Sequence, residues 1–192
     1  MYRILSFLMI LSLVGFMGCG KKEVKQKVQE KEPATLRPYS EPLPDSVKNR
    51  AFEYGAVSPD SLAKKLVLAL AENDTTKLLQ LAVSRTEYLN WIWPEEPASD
   101  PKFNIPLEFA WGNLYRDSYK GAKKMLKYYG GKKLSFVSFE IKGESVYHQT
   151  YVYHRNPVLV VENESGKQKQ IENLGTIVEM NGNFKFLFYK KD

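Results

Sequence analysis

Cysteine occurs once in this 192-residue chain, at Cys19, so no intramolecular disulfide can form and the fold must rest on packing. Histidine occurs twice, at His148 and His154. The two share parity along what reads as a single strand, but two imidazoles without nearby cysteine or clustered acid make a poor metal site. G-x-S-x-G, H-E-x-x-H and glycine-rich phosphate loops are all missing. The sequence therefore assigns no catalytic residue, no metal and no cofactor. No apolar run reaches the roughly 20 residues that span a bilayer as a helix. A net charge of +6 lacks the concentrated basic stripe of a nucleic-acid binder, so no nucleic-acid partner is expected.

What is present begins with a leader pattern. Arg3 supplies a positive start, Ile4–Met17 is apolar, and small residues gather before Cys19. The stretch Val14-Gly15-Phe16-Met17-Gly18-Cys19 resembles a bacterial lipobox, with Phe16 where an aliphatic residue is usual. The bland alternative is an uncleaved signal anchor with an incidental cysteine. The resemblance implies a signal peptide over residues 1–18 and lipid attachment at Cys19. It also implies an exported protein held at the cell membrane or outer membrane, where two or three acyl chains anchor durably and one does not.

Residues 19–56 read as a tether. Lys21–Glu32 alternates Lys, Glu, Gln and Val, too little apolar surface to offset the entropy of ordering. Pro33, Pro38, Pro42 and Pro44 then favour extended backbone.

Residues 57–192 have the composition of one ordinary domain. Ser58-Pro59 is a helix start, and Leu62, Leu66, Ala69 and Leu70 recur at helical spacing. Asp74 can cap a second short helix over Thr75–Val83. The next segment, with Trp91 and Trp93 ahead of Pro94, Pro97 and Pro101, reads as a short helix or strand-like turn and then a loop. Glu95 and Glu96 within it read as solvated. A long helix opens at Pro106 and stops at Gly130-Gly131. Its stripe of Leu107, Trp111, Leu114, Ser118, Ala122, Met125 and Tyr129 should face the core. Arg116, Lys120, Lys123, Lys124 and Lys127 should form a basic surface, either simply solvated or facing phospholipid headgroups or an acidic partner.

Four antiparallel strands should follow: Leu134–Ile141, with Val137, Phe139 and Ile141 on one face, then Val146–Val161, Lys169–Met180, and a last strand from Phe184. Pro157 and Gly175 mark interruptions, and Asn181-Gly182 is a two-residue hairpin signal. Strands so interrupted imply a curved sheet.

This order of helices and strands, with the closing hairpin Val178-Glu179-Met180-Asn181-Gly182-Asn183-Phe184-Lys185-Phe186, resembles the NTF2-like (cystatin-like) α+β cone. The resemblance implies a curved four-stranded antiparallel sheet wrapped around the long helix, with two or three short helices before it. It places a ligand pocket at the cone opening, lined by Trp91, Trp93, Trp111, Tyr115 and His154. The aromatic residues could equally plug the open end of the core. The expected function is a non-enzymatic envelope lipoprotein, with the membrane as one partner and a small ligand or an envelope protein as another. The rival is a small hydrolase or isomerase using a buried acid–base residue, for which His154 or Asp117 could be offered.

Overall fold

The computed structural model describes residues 49–172 and 174–191. The signal peptide expected over residues 1–18, Cys19 and the tether as far as residue 48 lie outside the described residues. The packed chain begins before residue 57. Phe52 is buried, and Ala56 exchanges backbone bonds of 2.9 and 2.7 Å with Phe184.

Helix α1 (Pro59–Ala71) starts where the serine–proline pair predicts: Ser58 Oγ accepts from the Ser61 N–H at 3.1 Å. Its buried residues are Leu62, Ala63, Leu66, Val67, Ala69 and Leu70. Asp74 caps α2 (Thr75–Gln80), accepting from the N–H groups of Thr76 and Lys77 at 2.8 and 3.1 Å. Ser84 opens α3 (Arg85–Glu87) with a reciprocal capping box to Glu87.

The chain then tightens through a π turn at Tyr88–Ile92 and 3-10 turns at Trp93–Glu95, Pro97–Ser99 and Pro101–Phe103. Each 3-10 turn carries a proline at its start, which fixes φ and removes an N–H that has no intrahelical partner there. Helix α4 (Leu107–Tyr129) follows Pro106 and ends at Gly130, with Gly131 at φ +69°. It buries Ser118, Gly121, Ala122 and Met125. Leu107, Trp111, Leu114 and Tyr129, on the same stripe, are only partly covered.

Among the described residues seven strands follow: β1 (Leu134–Ile141), β2 (Ser145–Tyr147), β3 (Val152–Arg155), β4 (Pro157–Asn163), β5 (Gln168–Ile171), β6 (Thr176–Met180) and β7 (Asn183–Phe188). They form two antiparallel sheets, β1-β4-β5 and β2-β3-β6-β7. The chain is thus α+β, with a long helix and two sheets where one four-stranded sheet was expected.

The breaks fall at the sequence signals. Asn156 (φ +50°), before Pro157, separates β3 from β4, and Gly143, whose N–H donates to the Arg155 carbonyl at 3.1 Å, separates β1 from β2. Gly175 (φ +82°) separates β5 from β6. Asn181 and Gly182 both adopt positive φ, 51° and 70°, as a two-residue turn between twisted strands requires.

Three strand expectations need correction. Lys169–Met180 is not one strand, because Gly175 divides it between β5 and β6, which lie in different sheets. Val146–Val161 is not one strand. His148–Tyr151 is a hairpin turn, Tyr147 pairs with Val152, and Val146 belongs to the strand before it. Val137 does not share a face with Phe139. The register shifts between Phe136 and Ser138, and this bulge turns Val137 outward to 40% exposure while Phe136 and Phe139 pack on the core.

The sheet β2-β3-β6-β7 is covered on both faces. Ile177, Phe184 and Phe186 join α1, α2, Met125 and residues of the other sheet in the main core. Tyr151, Tyr153, Val178 and Met180 face a second cluster with Phe52, Val83, Tyr88 and Ile92. The outer edge of β7 is occupied by Ala56 and by Leu81–Val83, whose backbone bonds to Phe186 measure 3.0 and 2.8 Å. Pairing of this kind removes an open edge that would otherwise recruit another strand.

Candidate functional site

The structure does not gather the expected pocket. The rings of Trp111 and Tyr115 lie 5.7 Å apart, tilted by 34°, and line a groove of about 270 Å³ with Leu79, Val83, Arg85, Leu114 and Leu187. Trp93 and Trp111 flank Tyr88, at 6.1 and 5.6 Å, and Trp91 packs on Phe52 at 6.0 Å. These tryptophans, each partly buried, pack against the second core cluster.

His154 sits elsewhere, on β3. Ser145 Oγ lies 2.8 Å from its Nδ1, and Glu179 Oε2 lies 2.8 Å from its Nε2. His148 does not share its face, because it lies in the hairpin turn, stacked 4.3 Å from Tyr151. Asp117 is half-buried and meets Lys191 at 3.3 Å.

Glu95 and Glu96 are not solvated loop residues. Glu95 accepts from the N–H groups of Gln149 and Thr150 at 2.7 and 3.1 Å, and from the Thr150 hydroxyl. Glu96 accepts from the Tyr151 hydroxyl at 3.2 Å and from that of Tyr153. Burial, with Glu96 alongside, pushes the Tyr88 phenol up to about 12 and holds Tyr151 above the ordinary phenol range. Tyr153 is raised by burial and by the neighbouring Tyr151 and Glu96. All three phenols therefore stay neutral, and the hydroxyls of Tyr151 and Tyr153 tie the 3-10 segment to β3 and the turn before it.

The basic surface of α4 is solvent-facing along Arg116, Lys120, Lys123 and Lys127, and Lys124 is partly covered. Arg116 donates to Asn113, Lys123 lies 6.0 Å from the Tyr119 ring, and Lys127 lies 6.0 Å from that of Tyr128. Lys124 turns toward the chain end, donating to the Lys191 carbonyl at 3.2 Å.

Lys124 also leads to a feature that helical spacing could not reveal. Beside the C-terminal half of α4 lies a cleft of about 390 Å³, lined by Lys124, Tyr128, Tyr129, Lys169, Glu172 and Lys190 among others. A second, of about 420 Å³, is lined by Tyr129, Lys132, Leu134, Asn163, Lys167 and Lys169 among others. The two share Tyr129 and Lys169, and Lys169 Nζ stands 4.9 Å from the Tyr129 ring centroid. Among the described residues, five lysines thus line the pair of clefts against one acid, Glu172.

The site comes together from four places in sequence: the end of α4, the 130–133 link, the β4–β5 turn with β5, and Lys190 beyond β7. That turn is shaped by Asn163, whose side-chain oxygen accepts from the N–H groups of Ser165 and Lys167 at 3.1 and 2.9 Å. Among the described residues none of the five lysines has a carboxylate within ion-pair distance, whereas the neighbouring Lys133 meets Glu164 at 2.9 Å. Concave, like-charged walls with apolar backing concentrate an anionic solute. The aromatic faces of Tyr128 and Tyr129 offer stacking area.

Among the described residues no group of three or more His, Cys, Asp or Glu side chains is placed to hold a metal ion. Among them, too, no helix is long and apolar enough to cross a membrane. No protein-family model matches the chain, and no curated protein or solved structure matches it.

Proposed function

We propose that this chain is an exported lipoprotein, anchored through Cys19, whose α+β domain binds an anionic small ligand in the lysine-lined double cleft. The observation that carries the binding role is Lys169 held over the Tyr129 ring where the two clefts meet. One cation there can serve an anion in either cleft, and its stem is already ordered on an aromatic face. The anchoring role rests on the lipobox pattern ending at the chain's only cysteine. The NTF2-like cone is the fold we assign to residues 57–192. It is supported by the order of elements and by the breaks that bend the strand meander at Gly143, Asn156 and Gly175. A tether between anchor and domain would leave the cleft free to meet a soluble ligand or a charged group on a neighbouring envelope protein.

Isothermal titration of the purified full chain with inorganic pyrophosphate tests the cleft. Binding should weaken at least about tenfold in Lys169→Glu and in Lys132→Glu, through loss of cations at the shared wall. It should be unchanged in Lys142→Glu, at the opposite end of β1 from the cleft-lining Leu134. Pyrophosphate binding that is absent, or equal in all four proteins, would sink the cleft assignment. Incorporation of an alkyne-labelled fatty acid in a bacterial host tests the anchor separately: label should enter the wild type and be lost in Cys19→Ser.

A further inference from the structure

We propose that Ser145, His154 and Glu179 form an acyl-transfer site, separate from the cleft, that hydrolyses small uncharged esters. The three come from three adjacent strands. Ser145 is the register partner of His154 across β2 and β3, and Glu179 pairs with Val152, two residues along β3 on the face that His154 shares. The contacts are Ser145 Oγ to His154 Nδ1 at 2.8 Å and His154 Nε2 to Glu179 Oε2 at 2.8 Å. They connect a hydroxyl, a base and a carboxylate that orients the base.

The chemistry of the groups sets the proton's place. An ionised Glu179 can only accept, so Nε2 carries the hydrogen. Nδ1 is left with its lone pair, and the Ser145 hydroxyl donates to it. That is the tautomer in which the imidazole can take the serine's proton.

The backbone brings Ser145 and His154 together for a reason. Bonds from Arg155 N–H to Glu144 O at 3.2 Å and from His148 N–H to Tyr151 O at 2.8 Å fix the hydrogen-bonded pairs of this hairpin. Alternation then makes Ser145–His154 a pair without mutual backbone bonds, the kind whose side chains approach most closely. The same alternation turns the Ser145 N–H away from β3. Since β2 is the outer strand of its sheet, that N–H points off an edge where a developing oxyanion could receive it.

The surroundings favour an apolar acyl group. Phe184 lies 6.1 Å from the His154 ring, and the Tyr147 ring, 45% exposed, shares Ser145's face. The His154 side chain is 13% exposed and that of Glu179 27%, covered yet reachable from solvent.

The steps balance without a further reactant except water. Ser145 Oγ attacks the ester carbonyl carbon while its proton passes to Nδ1. The carbon–alkoxy bond then breaks, and the alkoxide leaves as the alcohol with that proton. Water attacks the acyl-serine, gives a proton to Nδ1, and the acyl–Oγ bond breaks as Oγ takes the proton back. Ester and water become carboxylic acid and alcohol.

The test is labelling of the folded full chain with a fluorophosphonate probe, with peptide mass spectrometry and p-nitrophenyl acetate hydrolysis measured alongside. The adduct is expected on Ser145. Labelling and hydrolysis should vanish in Ser145→Ala and fall by about 100-fold in His154→Gln. Glu179→Gln should fall less, since its amide still accepts from or sits near Nε2. Each variant is compared at an unchanged melting temperature. If Ser145→Ala does not fold, the wild-type peptide map still decides. No adduct on Ser145, or hydrolysis equal in wild type and a folded Ser145→Ala, overturns the proposal. Pyrophosphate binding is read separately, so the cleft stands or falls independently.

Discussion

Lys185 Nζ lies 2.9 Å from Glu87 Oε2 and 3.2 Å from Oε1, with both side chains almost wholly buried and the two residues 98 positions apart. Glu87 has two further donors, the N–H groups of Glu53 at 2.8 Å and Ser84 at 2.7 Å. One carboxylate therefore joins the segment before α1, the cap of α3 and the last strand. Burial holds the Lys185 ammonium below its ordinary range, although Glu87 pulls it the other way.

Breaking this pair from one side should be severe, because the remaining charge stays buried. Lys185→Met alone should destabilise by about 3–5 kcal/mol. The double variant Glu87→Gln, Lys185→Met should lose clearly less than the sum of its single changes. Urea denaturation of the four proteins checks both statements, and additive losses would refute the coupling.

Alkaline pH should unfold the domain through its tyrosines. Tyr88, Tyr151, Tyr153 and Tyr189 all have phenols raised above 10.0 by burial. A raised phenol binds its proton more tightly in the folded state, so stability is intact below about pH 10 and falls as pH rises beyond it. For Tyr88, which reaches about 12, the loss across that window amounts to about 2–3 kcal/mol. Lys185 acts with the opposite sign below 10.5, so the decline should be clean above that pH. Absorbance at the phenolate band, followed with circular dichroism, should show these phenols ionising only as the fold is lost. Free titration at pH 10 in a folded protein would contradict the assignment.

Two glycines in the left-handed region separate strain from clash. At Gly166 (φ +75°) a side chain would meet nothing within 4 Å, while at Gly175 (φ +82°) a Cβ would lie 2.0 Å from the Phe188 carbonyl oxygen. Gly166→Ala should lose about 1–2 kcal/mol from backbone strain alone. Gly175→Ala should lose more, roughly 3 kcal/mol or above, because β7 must move as well. Equal melting temperatures in the two variants would show that β7 yields freely.

Glu95 should act locally. Its three bonds hold the 149–150 hairpin tip, so Glu95→Ala should loosen that turn while sparing the main core. Hydrogen exchange at the Gln149 and Thr150 amides should rise by at least about tenfold, equivalent to about 1.4 kcal/mol of local opening. Unchanged exchange there would show that the turn holds itself.

Local signals alone located much of the framework. The Ser58-Pro59 start, the Asp74 cap, the stop at Gly130-Gly131 and the Asn181-Gly182 turn depend on φ restrictions and on side-chain bonds within a few residues. Such preferences act before any tertiary contact forms, so they can be read one window at a time. The breaks at Pro157 and Gly175 were legible for the same reason.

What the tertiary structure decided is every feature with partners far apart in sequence. The turn at His148–Tyr151 has no Gly or Pro to announce it, and it is held by Glu95, more than fifty positions away. A single bulge at Val137 reversed the parity of a strand, because side chains alternate with a period of two. Lys185 reads as the outward residue of an alternating strand, yet it is buried because both sheet faces are covered and Glu87 meets it. The lysine clefts and the Ser145–His154–Glu179 chain belong to the same class. Spacing along a chain says which side chains share one helix or strand face, whereas charge concentration and proton relays depend on distances across elements, and only the packed fold sets those.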